Sequence, residues 1–62
     1  KKPIDMNGDE DYIYSIIGPQ RIHVDEVIEK SKMAAKEVMA ILTLLEMKDA
    51  VREVAGGFYI RK

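Results

Sequence analysis

The sequence predicts a small α+β domain built from three helices, one short strand and a C-terminal β-hairpin. The stretch from Lys36 to Lys48 carries apolar residues near the i, i+3, i+4, i+7 spacing of a helix with one buried side. A β-prone segment at residues 22–24 stands just ahead of a pair of helical patterns. At the C-terminus, two further β-prone runs flank a Gly-rich loop, which is a hairpin signal.

Length and composition limit the function classes. A chain of 62 residues forms one domain, with no room for a deep catalytic cleft. Ten basic and 11 acidic residues give a net charge of −1, whereas nucleic-acid-binding domains are usually basic. There is no cysteine, no membrane-spanning run and no signal peptide pattern, which leads us to expect a cytoplasmic location and no membrane contact. Because the chain starts Lys-Lys-Pro without Met, we expect it to be part of a longer protein.

The N-terminal residues 1–8 read as a disordered linker or tail, so the predicted domain is 9–62. Pro3 and the Asn7-Gly8 pair are turn signals, and Ile4 and Met6 are candidates for docking on the domain.

The first helix is predicted to open at Asp9 as its N-cap, followed by acidic residues that suit the helix dipole. Its buried side consists of Ile13, Ile16 and Ile17. Gly18 is expected in the left-handed position that ends the helix, and Pro19 prevents its continuation.

The short strand covers Ile22-His23-Val24, and the second helix runs from about Val24 or Asp25 to Ser31. His23 and Glu26 have the spacing of a capping box. Residues 31–34 form the turn into the third helix, with Met33 as an apolar contact between the two helices. Ala34 stands at the N-cap but cannot cap, which costs about 1 kcal/mol.

The third helix should bury its apolar side and end near Lys48. Asp49 is expected in a left-handed conformation after it. The predicted buried residues are Val38, Ile41, Leu42, Leu45 and Met47.

The hairpin is predicted from Ala50 to Val54, a loop at 55–57, and Phe58 to Arg61. Because strand side chains alternate between faces, Tyr59 is expected to pack inward and Phe58 to stay partly exposed.

This order of elements is that of a winged helix-turn-helix, with the hairpin as the wing. The stretch from Ile22 to Arg61 also resembles the C-terminal winged-helix domain of the DNA-processing protein A family (DprA, also called Smf). The matching features are Ile22 to Val27 ahead of the second helix, the third-helix residues Glu37-Val38, Leu42 and Leu45-Glu46, and the ending Gly56-Gly57-x-Tyr59-x-Arg61. The chain departs from the family pattern in having Asp49 where Gly is usual, Ala34 where Ser is usual, and Phe58 at a wing position that is often basic.

The resemblance implies an accessory domain of a protein that acts in natural transformation. In that family, the parent binds incoming single-stranded DNA and helps load the recombinase RecA. Its main DNA-binding surface lies in a Rossmann-like domain outside this chain, and the role of the winged helix varies among members.

Two kinds of contact are therefore open. Weak, non-specific DNA binding would use mostly basic residues around the helix-turn-helix and the wing: Lys30, Lys32, Lys36, Thr43, Arg52 and Arg61. The alternative is a protein-interaction or self-association surface without DNA binding, since the exposed side of the third helix is poor in base-reading residues. Its candidate contacts are Ala35, Met39, Ala40 and Phe58.

Neither a catalytic site nor a cofactor is expected. His23 is the single histidine and has a capping role to fill, so a metal site lacks ligands. No nucleophile–base pair or phosphate-binding Gly loop is present in the sequence.

Overall fold

The computed structural model describes residues 6–62 and confirms the predicted α+β class and order of elements. The helices are α1 (Gly8–Ile16), α2 (Val24–Ser31) and α3 (Ala35–Met47). The strands are β1 (Ile22–His23), β2 (Val51–Val54) and β3 (Phe58–Arg61). The arrangement is that of a winged helix, in which α2 and α3 form the helix-turn-helix and β2 and β3 form the wing.

Helix α1 starts two residues earlier than the sequence indicated. Its N-cap is Asn7, not Asp9, because Asn7 and Glu10 form a reciprocal capping box. The Asn7 side chain accepts from the Glu10 N–H at 2.8 Å, and the Glu10 carboxylate accepts from the Asn7 N–H at 3.2 Å. Most of the predicted tail, including Ile4, lies outside the described residues, whereas Met6 packs against the core as expected.

The C-terminus of α1 does not use a left-handed glycine, so that prediction for Gly18 is wrong. Ile17 itself leaves the helical conformation with ψ of 110°, and Gly18 has no positive φ. The side chain of Arg61 hydrogen-bonds carbonyl oxygens of the last turn, which removes the need for a glycine cap.

Helix α2 is capped by His23 as predicted, but the capping box does not form. His23 Nδ1 accepts a 3.0 Å hydrogen bond from the N–H of Asp25. The Glu26 carboxylate instead faces Lys30 one turn later, with an N–O distance of 3.3 Å.

Helix α3 lies across the core, and four of its five predicted buried residues are buried. Met47 is the exception, with 77% of its surface exposed. A helix turns about 100° per residue, so a residue two places after buried Leu45 lies on nearly the opposite side. Ala34 precedes the helix with no side-chain cap, and Asp49 follows it at φ 64°, both as predicted.

The sheet has the strand order β1-β3-β2, with both pairs antiparallel. The hairpin matches the prediction, although Ala50 is buried just outside β2. Gly56 and Gly57 have φ of 84° and 80°, values that favour glycine, and they make the tight loop of the wing possible. The inner side of the sheet closes a single core made of Ile13, Tyr14, Ile17, Ile22, Val27, Val38, Ile41, Leu42, Leu45, Ala50, Val51 and Tyr59.

Candidate interaction surfaces

The turn between α2 and α3 is held by Ser31, which is 5% exposed. Its hydroxyl donates to the carbonyl of Ile28 and accepts from the N–H of Met33, both at 3.2 Å. Its own carbonyl accepts a 3.3 Å hydrogen bond from the hydroxyl of Tyr12 on α1. These bonds fix how α3 projects from α2.

The lysines predicted to meet DNA are exposed around this turn. Lys30 is paired with Glu26. Lys32 occupies the left-handed position at the end of α2, with φ 61°, and Lys36 lies in the first turn of α3. Neither Lys32 nor Lys36 forms an ion pair within residues 6–62, so both ammonium groups are available to an anionic ligand.

The surface of α3 that points away from the core, here called the α3 outer face, brings together most of the predicted contact residues. All of its predicted members are exposed, and two further apolar residues join them: Leu44 at 42% and Met47 at 77% exposure. The Thr43 hydroxyl donates to the carbonyl of Met39 at 2.9 Å, so its proton is already used within the helix. The face consists of Ala35, Lys36, Met39, Ala40, Thr43, Leu44 and Met47.

The α3 outer face lacks the groups that read DNA sequence. Lys36 is the only charged residue among these seven, and none of them is Arg, Asn, Gln or Glu. The other exposed charged residues of the helix, Glu37 and Glu46, lie at the margins of this face. An exposed apolar row on a helix that is also apolar on its buried side is unusual for a solvated helix. Leu44 could have been identified from the sequence, since it lies one turn after Ala40.

Arg52 and Phe58 lie on a different surface, the outer face of the sheet. The register pairs His23 with Phe58 and Phe58 with Val54, so these three share one side, and Arg52 shares it through its pairing with Ile60. The guanidinium carbon of Arg21 lies 4.9 Å from the centre of the Phe58 ring. We call Arg21, His23, Arg52, Val54, Phe58 and Ile60 the outer sheet face.

Arg61 points to the inner side of the sheet, away from both of these surfaces. Its Nε donates to the carbonyl of Ile17 at 2.5 Å and its Nη2 to that of Tyr14 at 3.2 Å. The guanidinium also stacks 4.3 Å from the Tyr14 ring centre. The structure therefore separates Arg61 from the other predicted DNA-contact residues.

Tyr59 is 3% exposed and packs inward, as the strand alternation predicted, while Phe58 is half-buried. Burial raises the pKa of the Tyr59 hydroxyl, and the carboxylates of Glu53 and Glu46 raise it further. Glu53, the cross-strand partner of Tyr59, thus belongs to the inner side. Its negative charge is directed away from the outer sheet face.

The described part of the chain offers little else for a small ligand. Residues 6–62 contain no pocket and no group of three His, Asp or Glu side chains placed to hold a metal ion. The longest of the three described helices has 13 residues, and none of them is long and apolar enough to cross a membrane.

Fold and surfaces together define a winged helix-turn-helix domain whose third helix exposes Met39, Leu44 and Met47. The chain matches the family model described as the DprA winged helix domain over residues 2–57, and it belongs to that family. The match includes α1 and ends at Gly57, before the residues of β3. No curated protein and no solved structure matches the chain.

Proposed function

We propose that this domain is an accessory module of a DprA-like DNA-processing protein in the cytoplasm, and that it acts by contact rather than by catalysis. Family membership supports the accessory role. The parent would bind single-stranded DNA during natural transformation and load the recombinase RecA. The module would add a protein contact through α3 and a weak, non-specific contact with DNA.

The α3 outer face is the observation that carries the proposed protein contact. Met39, Leu44 and Met47 expose 44%, 42% and 77% of their surfaces, in the position where a DNA-reading winged helix presents polar side chains. Burying flexible methionines against another protein removes apolar surface from water and tolerates imperfect complementarity.

The partner that fits this face best is another domain of the same polypeptide. A 13-residue helix is about 20 Å long, so one side of it buries far less than the roughly 800 Å² per partner of a stable complex. A tethered partner compensates for a small interface, because a short linker gives an effective concentration of about millimolar.

Binding in trans tests this contact. The isotope-labelled domain is titrated with the DNA-binding domain of its own parent, and we expect amide shifts centred on Met39, Leu44 and Met47. Met39→Lys should weaken the binding at least tenfold, because it places a charge in the interface. Gln20→Lys makes a similar charge change in an exposed loop and should have no effect. Shifts that avoid α3, or a parent without a DNA-binding domain, would contradict the proposal.

The second contact, with DNA, is favoured by the exposed ammonium groups of Lys32 and Lys36. Two phosphate contacts give a log–log salt slope of about −1.4 for a single strand. Lys32→Gln and Lys36→Gln should each lower the magnitude of this slope by about 0.7, whatever the DNA sequence. Glu29→Gln, an exposed change on α2 that removes a negative charge, should not weaken binding. Salt-independent binding would rule out a phosphate contact.

A further inference from the structure

The outer sheet face concentrates positive charge and aromatic surface on a domain that is acidic overall. Arg52 lies on the edge strand β2, where it pairs with Ile60, and Arg21 directly precedes β1, the strand at the opposite edge of the sheet. His23 and Phe58 form the neighbouring row, their ring centres 5.0 Å apart in an edge-to-face arrangement. No carboxylate belongs to this face. Asp25 lies beside it, with an oxygen 3.7 Å from His23 Nδ1.

Within residues 6–62, the guanidinium groups of Arg21 and Arg52 do not cap a helix, whereas that of Arg61 hydrogen-bonds two carbonyls at the end of α1. Arg21 lies over the Phe58 ring, and Arg52 makes no ion pair with any residue in 6–62. Three lysines form ion pairs with carboxylates of the same domain: Lys30 with Glu26, Lys48 with Glu10 and Lys62 with Asp49. The positive charges on the outer sheet face are therefore those of Arg21 and Arg52.

We propose that the outer sheet face binds a single-stranded nucleic acid by stacking one base on the Arg21–Phe58 pair, with Arg52 contacting the backbone. Aromatic rings and guanidinium planes are the groups on which unstacked bases rest. A duplex keeps its bases stacked inside, so this surface would meet only its phosphates. Charge complementarity favours an anionic strand over an apolar peptide, since cations lie at both edges of the face.

This inference rests on the proposed binding of DNA by the domain. It places a contact on the outer sheet face, in addition to the one at Lys32 and Lys36, and adds base stacking to the attraction of phosphates. The two components can be separated chemically. A strand of abasic sites keeps the phosphates and lacks the bases. Phe58→Leu keeps apolar bulk on the sheet and removes the ring, whereas Phe58→Tyr keeps the ring. Ile60→Leu is the matched control, a conservative apolar change on the same face.

The test compares the affinity of the folded domain for a twelve-nucleotide oligothymidylate and for an abasic strand of equal length. We expect the base-bearing strand to bind about tenfold more tightly, the gain typical of one stacked base. Phe58→Leu should abolish this preference, while Phe58→Tyr and Ile60→Leu should keep it. Arg52→Gln should weaken binding to both strands by a similar factor. Thermal unfolding of each variant establishes that it is folded.

Equal affinity for the two strands, or a preference that survives Phe58→Leu, would overturn the proposal. If binding is equal and depends on Lys32 and Lys36, the phosphate contact proposed above stands and the stacking surface fails. If the base preference depends on Phe58 while the lysine variants bind normally, the stacking surface stands and the lysine contact fails. Binding of the outer sheet face to a domain of the parent, with no oligonucleotide binding, would also contradict the proposal.

Discussion

Arg61, on the last strand, donates a 2.5 Å hydrogen bond from Nε to the carbonyl oxygen of Ile17, at the end of the first helix. A second bond of 3.2 Å reaches the carbonyl of Tyr14, whose ring the guanidinium also covers. Carbonyls at a helix C-terminus lack partners within the helix, and a cation there also suits the helix dipole. One side chain from the wing thus caps α1 and joins the two ends of the domain.

Replacing Arg61 should lower the free energy of unfolding more than replacing Arg52 does. Arg61→Met keeps apolar length but loses the two charge-assisted hydrogen bonds, and we expect a loss of about 1–2 kcal/mol in the free energy of unfolding. Arg52→Met removes an exposed guanidinium that has no such bonds, so its effect should stay within about 0.5 kcal/mol. Urea denaturation at neutral pH measures both. Equal effects of the two variants would contradict the capping role.

Acid should destabilise the domain through Glu10, which is 2% exposed and lies 2.5 Å from Lys48 Nζ. The hydrogen bond from Lys48 lowers the pKa of Glu10 below its ordinary value of 4.5; burial opposes this, and the Asn7 N–H supports it. Because the pKa of Glu10 is lower in the folded state than in the unfolded state, its ionised carboxylate stabilises the fold at pH values above the unfolded-state pKa. This stabilisation is lost as the pH falls through the folded-state pKa. The urea midpoint should therefore drop more between pH 6 and pH 3 in the wild type than in Glu10→Gln.

Two residues other than glycine adopt a left-handed backbone conformation, and replacing them with glycine should stabilise the domain. Lys32 and Asp49 have φ of 61° and 64°. Lys32→Gly should raise the free energy of unfolding by about 0.5–1 kcal/mol, because glycine adopts this conformation without strain. Asp49→Gly should gain less, since Asp tolerates the conformation better and the change removes the 2.6 Å ion pair with Lys62. Lys30→Gly, inside α2, is the control and should lose about 1 kcal/mol. A loss of stability in Lys32→Gly would contradict this reading.

The uncapped start of α3 gives a further stabilising change. Ala34 is in the extended N-cap conformation and makes no side-chain hydrogen bond, so Ala34→Ser should add about 1 kcal/mol to the free energy of unfolding. Ala35→Ser, one position into the helix, should add nothing, because the capping geometry is absent there. Thermal denaturation of the two variants compares them directly, and an equal gain from both would rule out capping as the cause.

The elements were predictable because local patterns agree with the fold. The apolar spacing of α3, the Gly-rich wing loop and the strand alternation that buries Tyr59 all work over short distances along the chain. The errors arose at element ends. At the start of α1, the N-cap is Asn7 and not Asp9, because Asn7 forms a capping box with Glu10. At its end, the side chain of Arg61, 44 residues after Ile17, replaces the glycine cap expected at Gly18. Sequence spacing cannot reveal such a distant partner.

The interaction surfaces were only partly predictable for the same reason. The exposed residues of α3 follow from helical geometry. A helical-wheel projection at 100° per residue also places Met47 among them, nearly opposite the buried Leu45. The stacking of Arg21 on Phe58 depends on the pairing of β1 with β3, which brings together residues 37 positions apart. Strand alternation places Arg61 on the same side of the sheet as Tyr59, but its hydrogen bonds to the carbonyls of Ile17 and Tyr14 depend on how α1 packs against the sheet.

We propose that α3 occupies the position of a recognition helix but contacts protein and does not read DNA sequence. Selection of binding sites from a randomised duplex pool tests it most directly. We predict that the domain enriches no sequence motif, because the α3 outer face presents Met39, Leu44 and Met47 where base-reading side chains would stand. Enrichment of a defined motif, with binding lost in Lys36→Ala and Thr43→Ala, would contradict the account.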